Sequence, residues 1–231
     1  MQVLAAGSLR GVWPALMAGF PEPVETRYGP VGLLRERIEA GEPCDLFASA
    51  SETHPEKLVA SGRALAMTPL ATNSLCLAVR SDLLRPGDNW QRLLTRPDLR
   101  IATSTPGADP SGDYAQALFS RMGEAGEAVR QRARALVGGR DTAPIPAGWL
   151  AAEWIIQQGL ADLFIGYASY RAALSQVAGV TIVTIPAAYN PVAHYACAVI
   201  TPQARSLAAF LGSEQAKTVL REYGFGWQAN A

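Results

Sequence analysis

Short apolar runs alternate with amphipathic stretches along the chain. Val3–Ala5, Val24–Tyr28 and Leu46–Ala48 predict strands, and the segments after them, Gly11–Phe20, Val31–Ala40 and about Pro55–Ala60, carry helical spacing. Gly41 and Gly62 stand where the second and third helices must stop, and glycine readily takes the left-handed conformation that ends a helix. Pro14 is compatible with the first helix only in its opening turn, where its missing N–H costs nothing. Ser74–Val79 and Arg100–Thr103 predict buried strands. A long helix is expected from about Ser111 to Val137, broken near Gly123–Gly126 and ended by Gly138-Gly139. Thr142–Gly148, with Pro144 and Pro146, reads as a loop. Then follow a helix at Trp149–Gln158, a strand at Asp162–Tyr167, a short helix at Tyr170–Gln176, and strands at Val180–Ile185 and Tyr195–Ile200. Pro202–Leu211 and Ser213–Tyr223 predict amphipathic helices. This alternation argues for an α/β fold with sheets covered on both faces.

Several predicted strands end in a small or polar turn immediately before a helix: Ala6-Gly7-Ser8, Gly29-Pro30, Asp109-Pro110 and Ala147-Gly148. The first turn of a helix offers unpaired N–H groups and a partial positive charge. Several such turns converging would hold an anion without Lys or Arg. In open α/β sheets the ligand lies where strand C-termini face helix N-termini. Ordinary capping is the alternative reading at each turn.

Composition narrows the partner. The 231 residues suit one large domain or two small ones, and 49% apolar content excludes a disordered chain. Lys+Arg and Asp+Glu balance at 20 each, which leaves no footprint for a polyphosphate, so no nucleic-acid partner is expected. No apolar run approaches the roughly 18 residues that span a bilayer. The partner is then a small molecule or another protein. The opening Met1-Gln2 leads straight into a strand-like run with no leader pattern, which predicts either a cytoplasmic protein or one whose signal peptide is absent from this sequence.

Candidate chemistry is sparse. Cys44, Cys76 and Cys197 form no CxxC pair and read as buried free thiols; a Cys76–Cys197 disulfide would require their two runs to be adjacent strands. His54 and His194 form no metal-binding pair, and His54, just before Pro55, reads as a surface residue at a helix start. No phosphate-binding lysine loop, dinucleotide fingerprint or nucleophile elbow occurs, so neither a metal nor a cofactor is expected and the chain does not read as an enzyme. Asp109 and Asp113 flank Pro110-Ser111-Gly112. They read either as cap and turn formers or as a carboxylate pair for a cation or for acid–base work.

Ala5-Ala6-Gly7-Ser8-Leu9, and Ile38-Glu39-Ala40-Gly41-Glu42-Pro43 running into Asp45-Leu46-Phe47-Ala48-Ser49-Ala50, resemble the N-terminal signature of the ModA-type molybdate-binding proteins. These are the periplasmic substrate-binding components of ABC transporters. Asn73-Ser74-Leu75, Asp109-Pro110-Ser111-Gly112-Asp113-Tyr114-Ala115, Ile165-Gly166-Tyr167 and Tyr223-Gly224-Phe225 resemble later segments of the family in the same order. The resemblance implies a type II periplasmic-binding fold, two α/β lobes around a ligand cleft joined by crossing strands. Lobe 1 would hold residues 1–77 and 196–231, and lobe 2 residues 78–195. Ser74–Val79 and Tyr195–Ile200 would cross, with Cys76 and Cys197 near each other at the hinge.

The resemblance also implies function. The chain would be a monomeric extracytoplasmic component that binds a molybdate- or tungstate-like oxyanion and delivers it to a transporter permease. Donors carried over are Ser8 (hydroxyl and N–H), the N–H groups of Val31, Ser111 and Trp149, and the hydroxyl of Tyr167. Arg10, Tyr28, Asp109, Asp113 and Tyr170 lie beside these turns as further ligand-binding candidates. The second turn departs from the family's Gly-Ser-Ser-Gly. Gly29-Pro30-Val31-Gly32 lacks one N–H and the serine hydroxyls, which implies weaker molybdate binding unless Arg10 compensates. The alternatives are another anionic or organic ligand on the same fold, or a role as ligand sensor or enzyme.

Overall fold

The computed structural model describes residues 1–227. Residues 228–231, which the expected first lobe includes, lie outside the described residues. The first part of the chain forms β1 (Gln2–Ala6), α1 (Trp13–Ala18), β2 (Glu25–Gly29), α2 (Val31–Glu39), β3 (Leu46–Ser49), α3 (Thr53–Ala60) and β4 (Ala66–Asn73). Then come β5 (Leu75–Arg80), α4 (Trp90–Thr95), β6 (Ile101–Ser104), α5 (Pro110–Arg121), α6 (Glu124–Arg132), β7 (Arg134–Val137), α7 (Ala151–Gln157), β8 (Leu163–Tyr167), α8 (Arg171–Leu174) and β9 (Val180–Thr184). The chain ends with β10 (Ala193–Val199), α9 (Arg205–Leu211) and α10 (Glu214–Glu222).

These elements make two compact units, one from Met1–Asn73 together with the chain from Ala193 onward, the other from Ser74–Val192. Each holds a five-stranded mixed sheet, ordered β2-β1-β3-β10-β4 in the first unit and β7-β6-β8-β5-β9 in the second. In the first sheet β1 runs parallel to β2 and β3, while β10 is antiparallel to β3 and β4. In the second, β6 runs parallel to β7 and β8, and β5 is antiparallel to β8 and β9. The chain changes units between Asn73 and Ser74 and again between Val192 and Ala193. The strand expected at Ser74–Val79 thus lies in the second unit as β5, and that at Tyr195–Ile200 in the first as β10. Cys76 and Cys197 are therefore not on adjacent strands, and all three thiols are free and buried.

The expected helix over Ser111–Val137 is instead two helices and a strand. Gly123, at φ 65°, turns the chain between α5 and α6. A Cβ at Gly126 would overlap the Phe119 carbonyl, so glycine lets the two helices pack closely. The segment Arg134–Val137 becomes β7, because pairing with β6 outweighs local helical spacing. The strand β4 has no sequence signal: Pro69 breaks its pattern. It is an edge strand, and its register against β10 slips opposite Pro69, where a missing N–H is tolerated. The short helix α4 is opened by Asn89, whose side chain accepts the N–H groups of Gln91 and Arg92.

Polar side chains fasten the irregular parts. In the first unit the Asp45 carboxylate accepts the Gln2 N–H at 2.7 Å, the Thr201 hydroxyl at 2.7 Å and the Gln203 amide at 2.5 Å, so one side chain ties β1, β3 and the turn after β10. In the second unit Asp162 pairs with Arg100 at 2.8 Å and Arg80 at 3.3 Å. Burial alone would raise the Asp162 carboxyl, but the Arg100 and Arg80 guanidiniums outweigh it and hold the group below its usual range. Asn190 does comparable work where the chain enters and leaves the second unit. Its side-chain amide accepts the Leu75 N–H at 2.9 Å and donates to the Leu75 carbonyl at 2.8 Å, imitating a strand partner.

Replacing Asn190 by Ala leaves two buried main-chain groups of Leu75 without that partner. The expected cost is about 2–3 kcal/mol in urea unfolding. A loss below about 0.5 kcal/mol, the level of an ordinary surface substitution, would show that the clamp is not needed.

Candidate functional site

Parallel strands place the turns of each unit. Residues Ala6 and Gly29 are register partners at the ends of β1 and β2, so the turns that follow leave the same end of the first sheet. Ser8 lies in the helical turn Gly7–Leu9. Its hydroxyl shares a 2.9 Å hydrogen bond with the Tyr195 hydroxyl, which also accepts the Asn73 side-chain amide at 3.4 Å. The Tyr195 ring stands edge-on to Phe225 at 5.6 Å. Tyr195 and Asn73 are polar neighbours of the turn that the sequence reading missed; Tyr195 sat inside an apolar run, with nothing to mark its hydroxyl. Arg10 is exposed and its guanidinium lies 5.3 Å from the centre of the Tyr28 ring. Burial raises the Tyr28 hydroxyl above its ordinary pKa, and Arg10 partly opposes the shift. Val31 is a buried residue that opens α2 directly after Pro30, and no side chain caps this helix.

The second unit repeats the arrangement at β6, β7 and β8. The Thr105 N–H and hydroxyl both donate to the Val137 carbonyl at 2.9 Å, joining the ends of β6 and β7. Asp109 caps α5, its carboxylate accepting the Ser111 N–H at 3.3 Å. Asp113 accepts the Gly107 N–H at 2.8 Å and closes the loop that leads into the helix. Both carboxylates thus act as cap and turn formers here. A Cβ at Gly112 would lie 2.5 Å from the Ser104 carbonyl, so only glycine lets α5 start this close to the strand end. Burial pushes the Asp109 carboxyl up to about 6; the Ser111 N–H and the neighbouring Ser104 hydroxyl favour its charged form, and the Asp113 carboxylate opposes it.

Tyr167 ends β8 as a buried residue, with its ring edge-on to Tyr114 at 6.4 Å. Tyr170 packs against the core of the second unit. Trp149 is not at a helix start. Its N–H donates to the Pro146 carbonyl at 3.2 Å in a turn, and α7 begins only at Ala151. Ser8, Arg10, Tyr28 and Val31 therefore belong to the first unit, and Asp109, Ser111, Asp113, Trp149, Tyr167 and Tyr170 to the second.

Groups elsewhere are structural. Burial pushes the Cys44 and Cys197 thiols up to about 12 and Cys76 up to about 11, so all three stay protonated at neutral pH and are poor nucleophiles. His54 is buried rather than at the surface, and its Nδ1 accepts from Arg35 at 3.1 Å. Burial, helped by the Arg35 charge, pulls it down to about 4, so it is neutral at pH 7. Among the described residues no group of His, Cys, Asp and Glu could hold a metal ion, and no helix is long and apolar enough to cross a membrane.

Comparison with known proteins gives the class. The bacterial extracellular solute-binding protein family matches residues 2–226, and the chain belongs to that family. An uncharacterized Pasteurella multocida (strain Pm70) protein, PM1146, is 43% identical over 235 residues, covering 97% of this chain and 98% of its own. The periplasmic molybdate-binding protein of Azotobacter vinelandii has the same fold, with a TM-score of 0.78 at 22% identity over 99% of this chain and 100% of its own. The sulfate-binding protein SubI of Mycobacterium tuberculosis H37Rv follows at a TM-score of 0.77 and 20% identity, over 97% of this chain and 85% of its own. Both share the two α/β lobes with mixed sheets.

The Asp109 carboxyl gives this loop end a pH signature. Its folded pKa of about 6 lies above the unfolded value, so the folded state binds the extra proton between about pH 4 and 6 and this group's contribution to stability falls as pH rises through that window. Asp109→Asn keeps a capping oxygen and cannot ionise. Relative to wild type it should therefore gain about 1–3 kcal/mol between pH 4 and pH 7 in denaturant unfolding. A difference that stays flat with pH would contradict the burial of this charge.

Proposed function

We propose that the chain captures a small oxyanion outside the cytoplasm and delivers it to the permease of an ABC transporter, acting as a monomer. Membership of the extracellular solute-binding family supports the capture role, and the buried, protonated thiols argue against catalysis by them. The observation that carries the oxyanion reading is the opening turn of α2. No side chain caps it, it follows the end of β2 directly, and the Ser8 turn leaves the neighbouring strand at the same sheet end. Uncapped amides beside a serine hydroxyl form an anion site that needs no full charge partner. In the second unit the start of α5 at Ser111 and the end of β8 at Tyr167 lie at the equivalent strand ends, with the Ser111 N–H held by the Asp109 cap. The names of the molybdate- and sulfate-binding proteins that share the fold point to the same ligand class.

Arg10 stands next to the turn that has lost the family's serines. On this reading its exposed guanidinium replaces the missing donors. Calorimetric titration with molybdate, tungstate, sulfate, phosphate and small carboxylates tests the proposal. At least one oxyanion should bind, and Arg10→Ala and Ser8→Ala should each weaken it by about 1.5–3 kcal/mol, tenfold to a hundredfold. Tight binding of a neutral molecule, indifferent to both substitutions, would refute it.

A further inference from the structure

Two buried side chains of the first unit line up behind the Ser8 hydroxyl. Asn73 is the last residue of β4 and pairs with Ala193 across the sheet, so it lies diagonal to Tyr195 on one face of the ladder. Its side-chain N–H donates to the Tyr195 hydroxyl at 3.4 Å, and that hydroxyl lies 2.9 Å from the Ser8 Oγ. Tyr195 is 1% exposed, and the Phe225 ring stands edge-on to it at 5.6 Å. Phe225 is fixed in turn, because the next residue, Gly226, exchanges main-chain hydrogen bonds of 2.8 Å with Thr72. The register of β4 against β10 shifts between Tyr195 and Ala196, and a bulge of this kind re-aims the side chains beside it. A phenol hydroxyl held this firmly also holds its hydrogen-bond partner in one place.

The direction of these hydrogen bonds follows from their chemistry. An amide nitrogen only donates, so the Tyr195 oxygen accepts from Asn73. The phenol is the stronger acid of the two hydroxyls, and its single proton goes to the Ser8 Oγ. Ser8 is then the acceptor towards Tyr195, and its own proton is not spent on that bond. A hydroxyl that accepts one hydrogen bond is polarised and donates another more strongly. We propose that Tyr195 is a positioning residue, which fixes and polarises the Ser8 hydroxyl as a donor to the ligand. It acts through Ser8 rather than on the ligand. The Asn73 amide sets the direction of the chain, and the Phe225 contact holds the ring that carries it. This rests on the oxyanion reading above and deepens it at one donor.

The test is a double-mutant cycle read by titration calorimetry, with molybdate, sulfate and inorganic phosphate as probes. Wild type, Tyr195→Phe, Ser8→Ala and the double variant are compared on the anion that wild type holds most tightly. Phenylalanine keeps the ring against Phe225 and removes only the hydroxyl. With Ser8 present, Tyr195→Phe should weaken binding about threefold to tenfold, the worth of one hydrogen bond. In the Ser8→Ala background the same substitution should change affinity by less than about twofold, because the group it acts on is gone. An equal loss in both backgrounds would give Tyr195 a merely structural role and overturn the inference, as would wild-type affinity in Tyr195→Phe. Both results leave the oxyanion reading intact so long as Ser8→Ala binds more weakly. Ser8→Ala that binds like wild type, or wild type that binds none of the three anions, refutes the oxyanion reading at this turn and the inference with it. Should Tyr195→Phe not melt cooperatively, Asn73→Ala, which removes the N–H that sets the direction, takes its place in the cycle and is decided by the same outcomes.

Discussion

Every parallel strand of the two sheets except β7 leads at its C-terminal end to a helix or helical turn, and the placement of the candidate ligand groups other than Trp149 follows from that constraint. β1, β2 and β3 share one direction, as do β6, β7 and β8, so their outgoing turns gather at one end of each sheet. Helix N–H groups, small residues and hydroxyls are thereby brought together without any lysine, and an anion can be recognised by dipoles and hydrogen bonds alone.

Holding those turns falls to side chains away from them. Asp45 belongs to the stretch that most resembles the molybdate-binding family, yet its role is structural: it fastens β1, β3 and the turn after β10. The segment Tyr223-Gly224-Phe225 is structural too. Phe225 packs on Tyr195, and Gly226 exchanges main-chain hydrogen bonds of 2.8 Å with Thr72. Pro30-Val31 is where the sequence departs from the resembled signature, and on the proposed reading it removes hydrogen-bond donors from the anion site.

The alternation of apolar runs and amphipathic stretches made most of the α/β pattern legible, because strands buried on both faces and helices closed by Gly41, Gly62 and Gly159 announce themselves locally. What stayed hidden depended on tertiary partners. β4 carries Pro69 and is a strand only because β10 lies beside it; β7 is a strand only because β6 does. Trp149 looked like a helix start, but its N–H turns back to Pro146. The places of Ser8, Val31 and Ser111 in turns and helix starts could be read from position. The hydrogen bonds of Tyr195 and Asn190 could not, since a polar atom inside an apolar strand or loop shows its use only once its neighbours are in place.

The central claim is that a small anion docks on the turns at these strand ends. The most direct measurement is a backbone amide NMR titration with inorganic phosphate. The account predicts the largest shifts at the amides of Ser8, Val31 and Gly32 in the first unit and Ser111 and Gly112 in the second. Shifts confined to other surfaces, such as the opposite end of the first sheet around Glu25, Arg27 and Glu42, would contradict it.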